Sequence, residues 1–232
     1  MAVNFAVILQ GTYPDPAIPY PLYVFDVTVN AVSALTTIIA NTLIVVALKK
    51  IPSVQVHSVF KAFLFNLAFA DLTVGLVVQP AYISAVLTAM YGYPNASRTL
   101  GTLFYLTNWY FANISLSFLT AIAIDRLLAL YLRRRYRNVV TFKKVVIVLA
   151  FLWIYKFGET VILIFDHRSY NILANGGLGI CNAAMTFCYF KIYLTLRRHE
   201  LHDTRTDANV SSSKRTWNLS PKAIYMRENR SV

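Results

Sequence analysis

What this sequence lacks narrows it first. Only 14% of its 232 residues are charged, where a soluble domain carries about a quarter. Acids are scarcest: 10 Asp and Glu stand against 22 Lys and Arg, a net charge of +12. Cysteine is nearly absent. Cys181 and Cys188 lie in one apolar run, and on a helix that spacing is roughly 10 Å of rise, too far for a disulfide. No CxxC metal spacing occurs, so neither a disulfide scaffold nor a zinc module is expected. No repeat of fixed period is visible, which excludes a propeller or solenoid. The first ten residues, MAVNFAVILQ, lack a basic start and a small-residue cleavage site, so a cleaved leader is not expected. The motifs GxSxG and HExxH and a phosphate loop are missing. The four histidines (His57, His167, His199 and His202) fall near the ends of apolar runs or in polar links. His57 reads as a solvated interface residue. An enzyme is therefore not expected.

What is present is greasy. Hydrophobic residues make up 57% of the chain, and mean hydropathy is +0.52. A spanning helix needs about 20 mostly apolar residues to cross roughly 30 Å of hydrocarbon. Five runs qualify: residues 27–48, 59–90, 103–132, 145–165 and 178–196. The second is long enough to tilt or kink and contains Pro80. The predicted fold class is an all-α membrane helix bundle. Residues 1–24, with Pro14, Pro16, Pro19 and Pro21, read as an extended arm. Residues 25–198 hold the bundle, and 199–232 read as a polar basic tail.

Charge placement sets the expected orientation. Three basic residues (Lys49, Lys50, Lys61) lie between the first two spans. Seven lie from Arg126 to Lys144, and nine from Lys191 onward. So 19 of the 22 fall on one side, leaving Arg98, Lys156 and Arg168 on the other. The positive-inside rule then puts the N-terminus outside and the tail in the cytoplasm. Attraction to the anionic inner leaflet accounts for the net charge, so nucleic acid is not an expected partner. The sequon Asn95-Ala-Ser falls outside in this orientation, which makes Asn95 a glycosylation candidate. The sequons at Asn113, Asn209 and Asn218 fall within a span or the tail and are expected to stay unmodified.

Polar residues within the spans carry the functional signal, because an ionisable group at mid-span costs about 2.5–3.5 kcal/mol. Asp71, in NLAFADLTVGLVVQP, is the clearest case. It reads as a cation site or proton-coupled switch, or as a polar anchor that locks helices together. Asn41 in the first span and Ser115 in the third can each reach an Asp on a neighbouring helix. Asn66 and Trp153 are candidates for a structural hydrogen bond between spans. The third span is the most polar, with Thr107, Asn108, Asn113, Ser115, Ser117 and Thr120. It is expected at the centre of the bundle, with Asn108 and Ser115 on one face.

Taken together, these residues resemble rhodopsin-like G-protein-coupled receptors. The resemblance rests on ANTLIVVAL with Asn41, NLAFAD with Asn66 and Asp71, IDRLLAL with Asp125 and Arg126, FLWIY with Trp153, and CYFKIY with Tyr189. It covers residues 25–200. It implies a multi-pass plasma-membrane protein whose partners are an extracellular ligand, a heterotrimeric G protein, membrane lipid and other receptor copies. It assigns Asp125, Arg126 and Tyr189 to the G-protein switch. Asp71 and Ser115 match part of a sodium pocket, so a sodium ion at Asp71 is the one cofactor implied. The ligand pocket is expected at Asn108, Trp109 and Pro80. Asn108 is neutral where amine receptors carry Asp, which argues against an amine held by a salt bridge.

The pattern also has gaps. Gly101 stands where the family's helix-three cysteine is expected, Cys181 where helix five usually has proline, and Leu127 where a tyrosine commonly follows the acid–Arg pair. The family's sixth and seventh helices have no counterpart in these residues. The resemblance thus implies a ligand-binding, G-protein-coupled receptor in its full-length form. The alternative is a truncated, non-signalling fragment (a splice form, pseudogene product or incomplete gene model) that associates with full-length receptors. An unrelated five-span transporter or channel subunit would call for paired mid-membrane charges or repeated broken helices, and neither is read from the sequence.

Overall fold

The computed structural model describes residues 19–50 and 58–228. Most of the expected N-terminal arm, including Pro14 and Pro16, lies outside them, as does His57. Every regular element among the described residues is helical. Four helical segments are long and apolar enough to cross a membrane: Tyr20–Lys50, Ser58–Met90, Pro94–Val139 and Phe142–Phe165. The chain is therefore an all-α membrane bundle. Many large apolar side chains are exposed on these helices, among them Leu43, Ile147 and Ile154. In a bilayer those faces meet acyl chains, and each helix satisfies its own backbone.

Helix α1 (Tyr20–Lys50) begins within the stretch read as an arm. Pro21 falls in its first turn, where a missing N–H costs nothing. The second span is built from α2 (Ser58–Thr73), a π-helical turn (Val74–Val78) and α3 (Gln79–Met90). Pro80 explains the π turn: it has no N–H to bond back into the ladder. Gln79 instead donates its backbone N–H to Val74 O, one residue further back than in an α-helix. Gly75 brings this turn against α1. A Cβ there would stand 2.9 Å from Ile38 Cγ1 and 3.2 Å from Ala34 O, so a larger residue would separate the two helices. Gly92, at φ +79°, closes the span with a turn that favours glycine.

Helix α4 (Pro94–Leu132) is the spine of the bundle and packs against α2, α3 and the helix of the fourth span. Its most buried side chains include Ile114, Phe118 and Ala123. Its small and hydroxyl residues allow close approach, as membrane interfaces favour. Ser97, for example, is buried and donates its hydroxyl to Ala85 O on α3 at 2.9 Å. Arg133 ends α4 at φ +43°, and a 3-10 turn (Arg133–Arg135) and a short helix α5 (Tyr136–Val139) follow. Helix α6 (Phe142–Phe165) is the fourth span. The main core joins Phe63 and Ala70 of α2, Ile114 and Phe118 of α4, and Val145 and Leu149 of α6.

Helix α7 (His167–Glu228) departs from expectation. The fifth apolar run is helical throughout, but it is not among the four helices long and apolar enough to cross a membrane. Asn182, Lys191 and its tyrosines dilute its hydropathy. The link before it, Gly176 and Gly177 included, and the polar tail through Glu228 are helical as well. The chain divides into two compact units, Met1–Thr186 and Phe187–Val232.

Candidate functional site

Three polar constellations lie along the bundle. The first is at the end of α4. Asp125 is buried, with 3% of its side chain exposed, and Arg126 beside it is 39% exposed. Arg126 donates to Asp125 Oδ2 through Nη2 at 2.6 Å and Nε at 3.2 Å. Its guanidinium also lies over the Phe60 ring of α2, 3.9 Å from the centroid. The other carboxylate oxygen, Oδ1, accepts a hydrogen bond from the Tyr136 hydroxyl of α5. A buried carboxylate is thus held from two sides, as a buried charge requires. Sequence reading found Asp125 and Arg126 but not Tyr136, because Tyr136 lies beyond the apolar run in what looked like a basic loop. Tyr189, the third expected member, is exposed on α7 in the second unit.

The second constellation lies at mid-bundle. The Ser115 hydroxyl donates to Asp71 Oδ1 at 2.8 Å, joining α4 to α2. Asn41 is buried, but its side-chain amide donates to Thr37 O of its own helix at 2.9 Å. One turn from Asp71, Trp153 Nε1 donates to Asn66 Oδ1 at 3.0 Å, a bond between α6 and α2. The Trp153 ring also meets Phe69, Tyr110, Phe111 and Phe118 edge-on or tilted at 5.6 to 6.4 Å.

The third constellation lies toward the other end. Trp109 is half-buried and contacts Tyr105 and Tyr170 edge-on, at 6.2 and 5.9 Å. It packs against a small core of Leu163, Tyr170 and Ala174. Asn108, next along α4, is half-buried, whereas Pro80 is exposed at the head of α3. Asn95 is exposed at the start of α4. Two further polar features at this end escaped the sequence reading. Tyr82 donates its hydroxyl to Asp26 Oδ2, joining α3 to α1. Asn30 supports Asp26 from one turn away, at 3.1 Å from Oδ1.

The other missed feature corrects a reading of charge. The charge count places Lys156 on the outer side, and Asp71 reads as the clearest charge within a span. Instead Lys156 and Glu159 are both buried within α6 and form an ion pair at 2.8 Å. The i,i+3 spacing of opposite charges was the available signal.

The family described as "7 transmembrane receptor (rhodopsin family)" matches residues 40–184. The chain belongs to this family. Rhodopsin-family relatives include the adenosine receptor A3 of Ovis aries, 31% identical over 132 residues, which are 56% of this chain and 39% of that protein. The adenosine receptor A3 of Canis lupus familiaris is also 31% identical, over 56% of this chain and 40% of its own length. The muscarinic acetylcholine receptor M3 of Bos taurus is 29% identical, over 64% of this chain and 25% of its own length. The match thus spans about two fifths of the adenosine receptors. This rhodopsin-family chain is a receptor homologue and not an enzyme.

Proposed function

We propose that this chain provides the ligand-facing and G-protein-facing surfaces of helices one to five of a plasma-membrane receptor. An extracellular ligand acts near Asn108 and Trp109, and a heterotrimeric G protein meets the Asp125–Arg126 end. The supporting observation is the clamp on Asp125. Arg126 and Tyr136 both spend donors on one buried carboxylate. A partner that offers Arg126 another acceptor would compete directly with that clamp. Tyr189 is assigned to the side that receives Arg126 when it is released. Membrane lipid and further receptor copies are the remaining partners of this reading, and Asn95 is its glycosylation site.

Asp71 and Ser115 fit part of a sodium site. They offer a carboxylate and a hydroxyl oxygen in contact, the donor type that hard cations take. The remainder of the shell would come from other oxygens. When bound, the ion supplies charge that stabilises ionised Asp71 within the span.

Expression in cells with cAMP and calcium readouts tests the proposal, with neutral small molecules and peptides applied outside. A response that Arg126→Ala abolishes supports it. Silence in both readouts, with the chain present at the surface, counts against it.

A further inference from the structure

One face of α6 carries Lys156, Glu159 and Leu163 at helical spacing, and all three are buried. Tyr170, Ala174 and Gly177 are spaced alike on α7. Leu163, Tyr170 and Ala174 form the small core on which Trp109 packs. One turn along the same seam, Lys156 meets Gly177. A Cβ on that glycine would stand 3.9 Å from Lys156 Nζ and, beyond its own helix backbone, within 4 Å of nothing else among the described residues. The bare glycine thus leaves room beside the ammonium. The ion pair at this place is short of partners. Lys156 and Glu159 are 5% and 4% exposed, and Nζ donates to Oε2 at 2.8 Å. Glu159 Oε1 is buried and makes no hydrogen bond. An ammonium has three N–H donors, and among the described residues Lys156 gives one of them, to Glu159.

An unmade bond to a buried carboxylate is costly, so a guest that supplies the donor gains by it. The pair carries no net charge, and that sets the class of guest. A cation is repelled by Lys156 and an anion by Glu159. A neutral group with an N–H and a C=O side by side meets both needs. Its N–H serves Glu159 Oε1, and its oxygen accepts a spare Lys156 donor. We propose that the Lys156–Glu159 pair binds the neutral carboxamide head of a ligand whose apolar body lies toward Trp109 and Tyr170. The inference rests on the ligand reading given above and names the class of that ligand. It moves the polar anchor from α4, where Asn108 is neutral, to α6.

The test uses the full 232-residue chain, purified in detergent and titrated in one buffer with benzamide, benzylammonium, benzoate or toluene. These probes share a ring and differ in the head. Melting temperature is the readout, since a ligand that binds the folded state raises it. Benzamide is expected to raise it, and the other three are not. Lys156→Met with Glu159→Leu removes both charges together and is expected to abolish the benzamide shift. Gly177→Ala keeps both charges and fills the gap with a Cβ at ordinary contact distance. It is expected to move the benzamide midpoint about tenfold higher, the worth of one such bond. A shift from benzylammonium or benzoate as large as that from benzamide would overturn the proposal. So would no shift from any probe, an unchanged midpoint in Gly177→Ala, or a full benzamide shift in the double variant. Binding that depends on the pair, in cells silent to cAMP and calcium, would support the carboxamide site and count against the receptor reading alone. A cellular response with no benzamide shift would do the reverse.

Discussion

The hydroxyl of Tyr136 donates a hydrogen bond to Asp125, the same carboxylate that Arg126 grips at 2.6 Å. One short helix beyond the third span therefore helps to hold the acid–Arg pair in place. Tyr136→Phe removes that donor and leaves a buried carboxylate oxygen without it. The expected cost is about 1–3 kcal/mol, read as a lower melting temperature of the detergent-solubilised chain. If the clamp restrains Arg126, basal signalling rises in the same variant. A fall in stability with no change in basal signalling would assign Tyr136 to packing alone.

Arg126→Ala is expected to lower G-protein coupling about tenfold or more, the worth of one charge-assisted hydrogen bond. Surface expression should be largely kept, because Tyr136 still donates to Asp125 and the Arg126 side chain is 39% exposed. GTP exchange measured beside surface labelling separates the two effects. Unchanged coupling at normal expression would remove Arg126 from the role proposed here.

Sequence reading succeeded where one residue type was out of place in its run. Asp71, Ser115, Asn66 and Trp153 stand out in apolar stretches, and the structure pairs them across helices. It failed where the partner lay in an ordinary setting. Tyr136 follows a triple arginine that announces a membrane boundary, and Asp26 sits where a chain was expected to be entering the membrane. Lys156 reads only as an outer-side cation and Glu159 carries no signal of its own, because hydropathy counts charges without pairing them. The π turn was foreshadowed by Pro80, but a proline allows a kink or a π turn alike. Helix α7 extends past the fifth apolar run at both ends, where polar sequence leaves hydropathy with nothing to read.

Trp153 tests how the fourth span is fastened. Trp153→Phe keeps most of the ring contacts and loses the hydrogen bond to Asn66, so the cost should be only about 0.6 kcal/mol. Trp153→Ala also empties the space among Phe69, Tyr110, Phe111 and Phe118. That should cost about 3–5 kcal/mol. Thermal unfolding of both variants, with Asn66→Ala as the third corner of a cycle, separates bond from packing. Equal losses for Phe and Ala would show the hydrogen bond to dominate instead.

Sodium supplies a test of Asp71. If Asp71 and Ser115 hold the ion, sodium chloride raises the melting temperature more than choline chloride does. Asp71→Asn should abolish the difference, because it removes the charge. Ser115→Ala should move the sodium midpoint to higher concentration without abolishing the effect, because it removes one neutral oxygen. A sodium effect that survives Asp71→Asn would place the ion elsewhere.

Lys156 and Glu159 make the sharpest test of cost within the span. Both are about 95% buried, and they bond each other at 2.8 Å. The second Glu159 oxygen, Oε1, makes no hydrogen bond of its own. Each charge is therefore tolerable mainly because of the other. Glu159→Leu strands Lys156, and Lys156→Met strands Glu159. Either change alone should destabilise the bundle by about 3–5 kcal/mol. Replacing both together removes the desolvation cost as well as the attraction, so the double variant should match or exceed the parent in stability. Melting temperatures of the four chains decide the matter. Two single losses that simply add in the double variant would mean that the residues act through packing, and that the ion pair contributes nothing of its own.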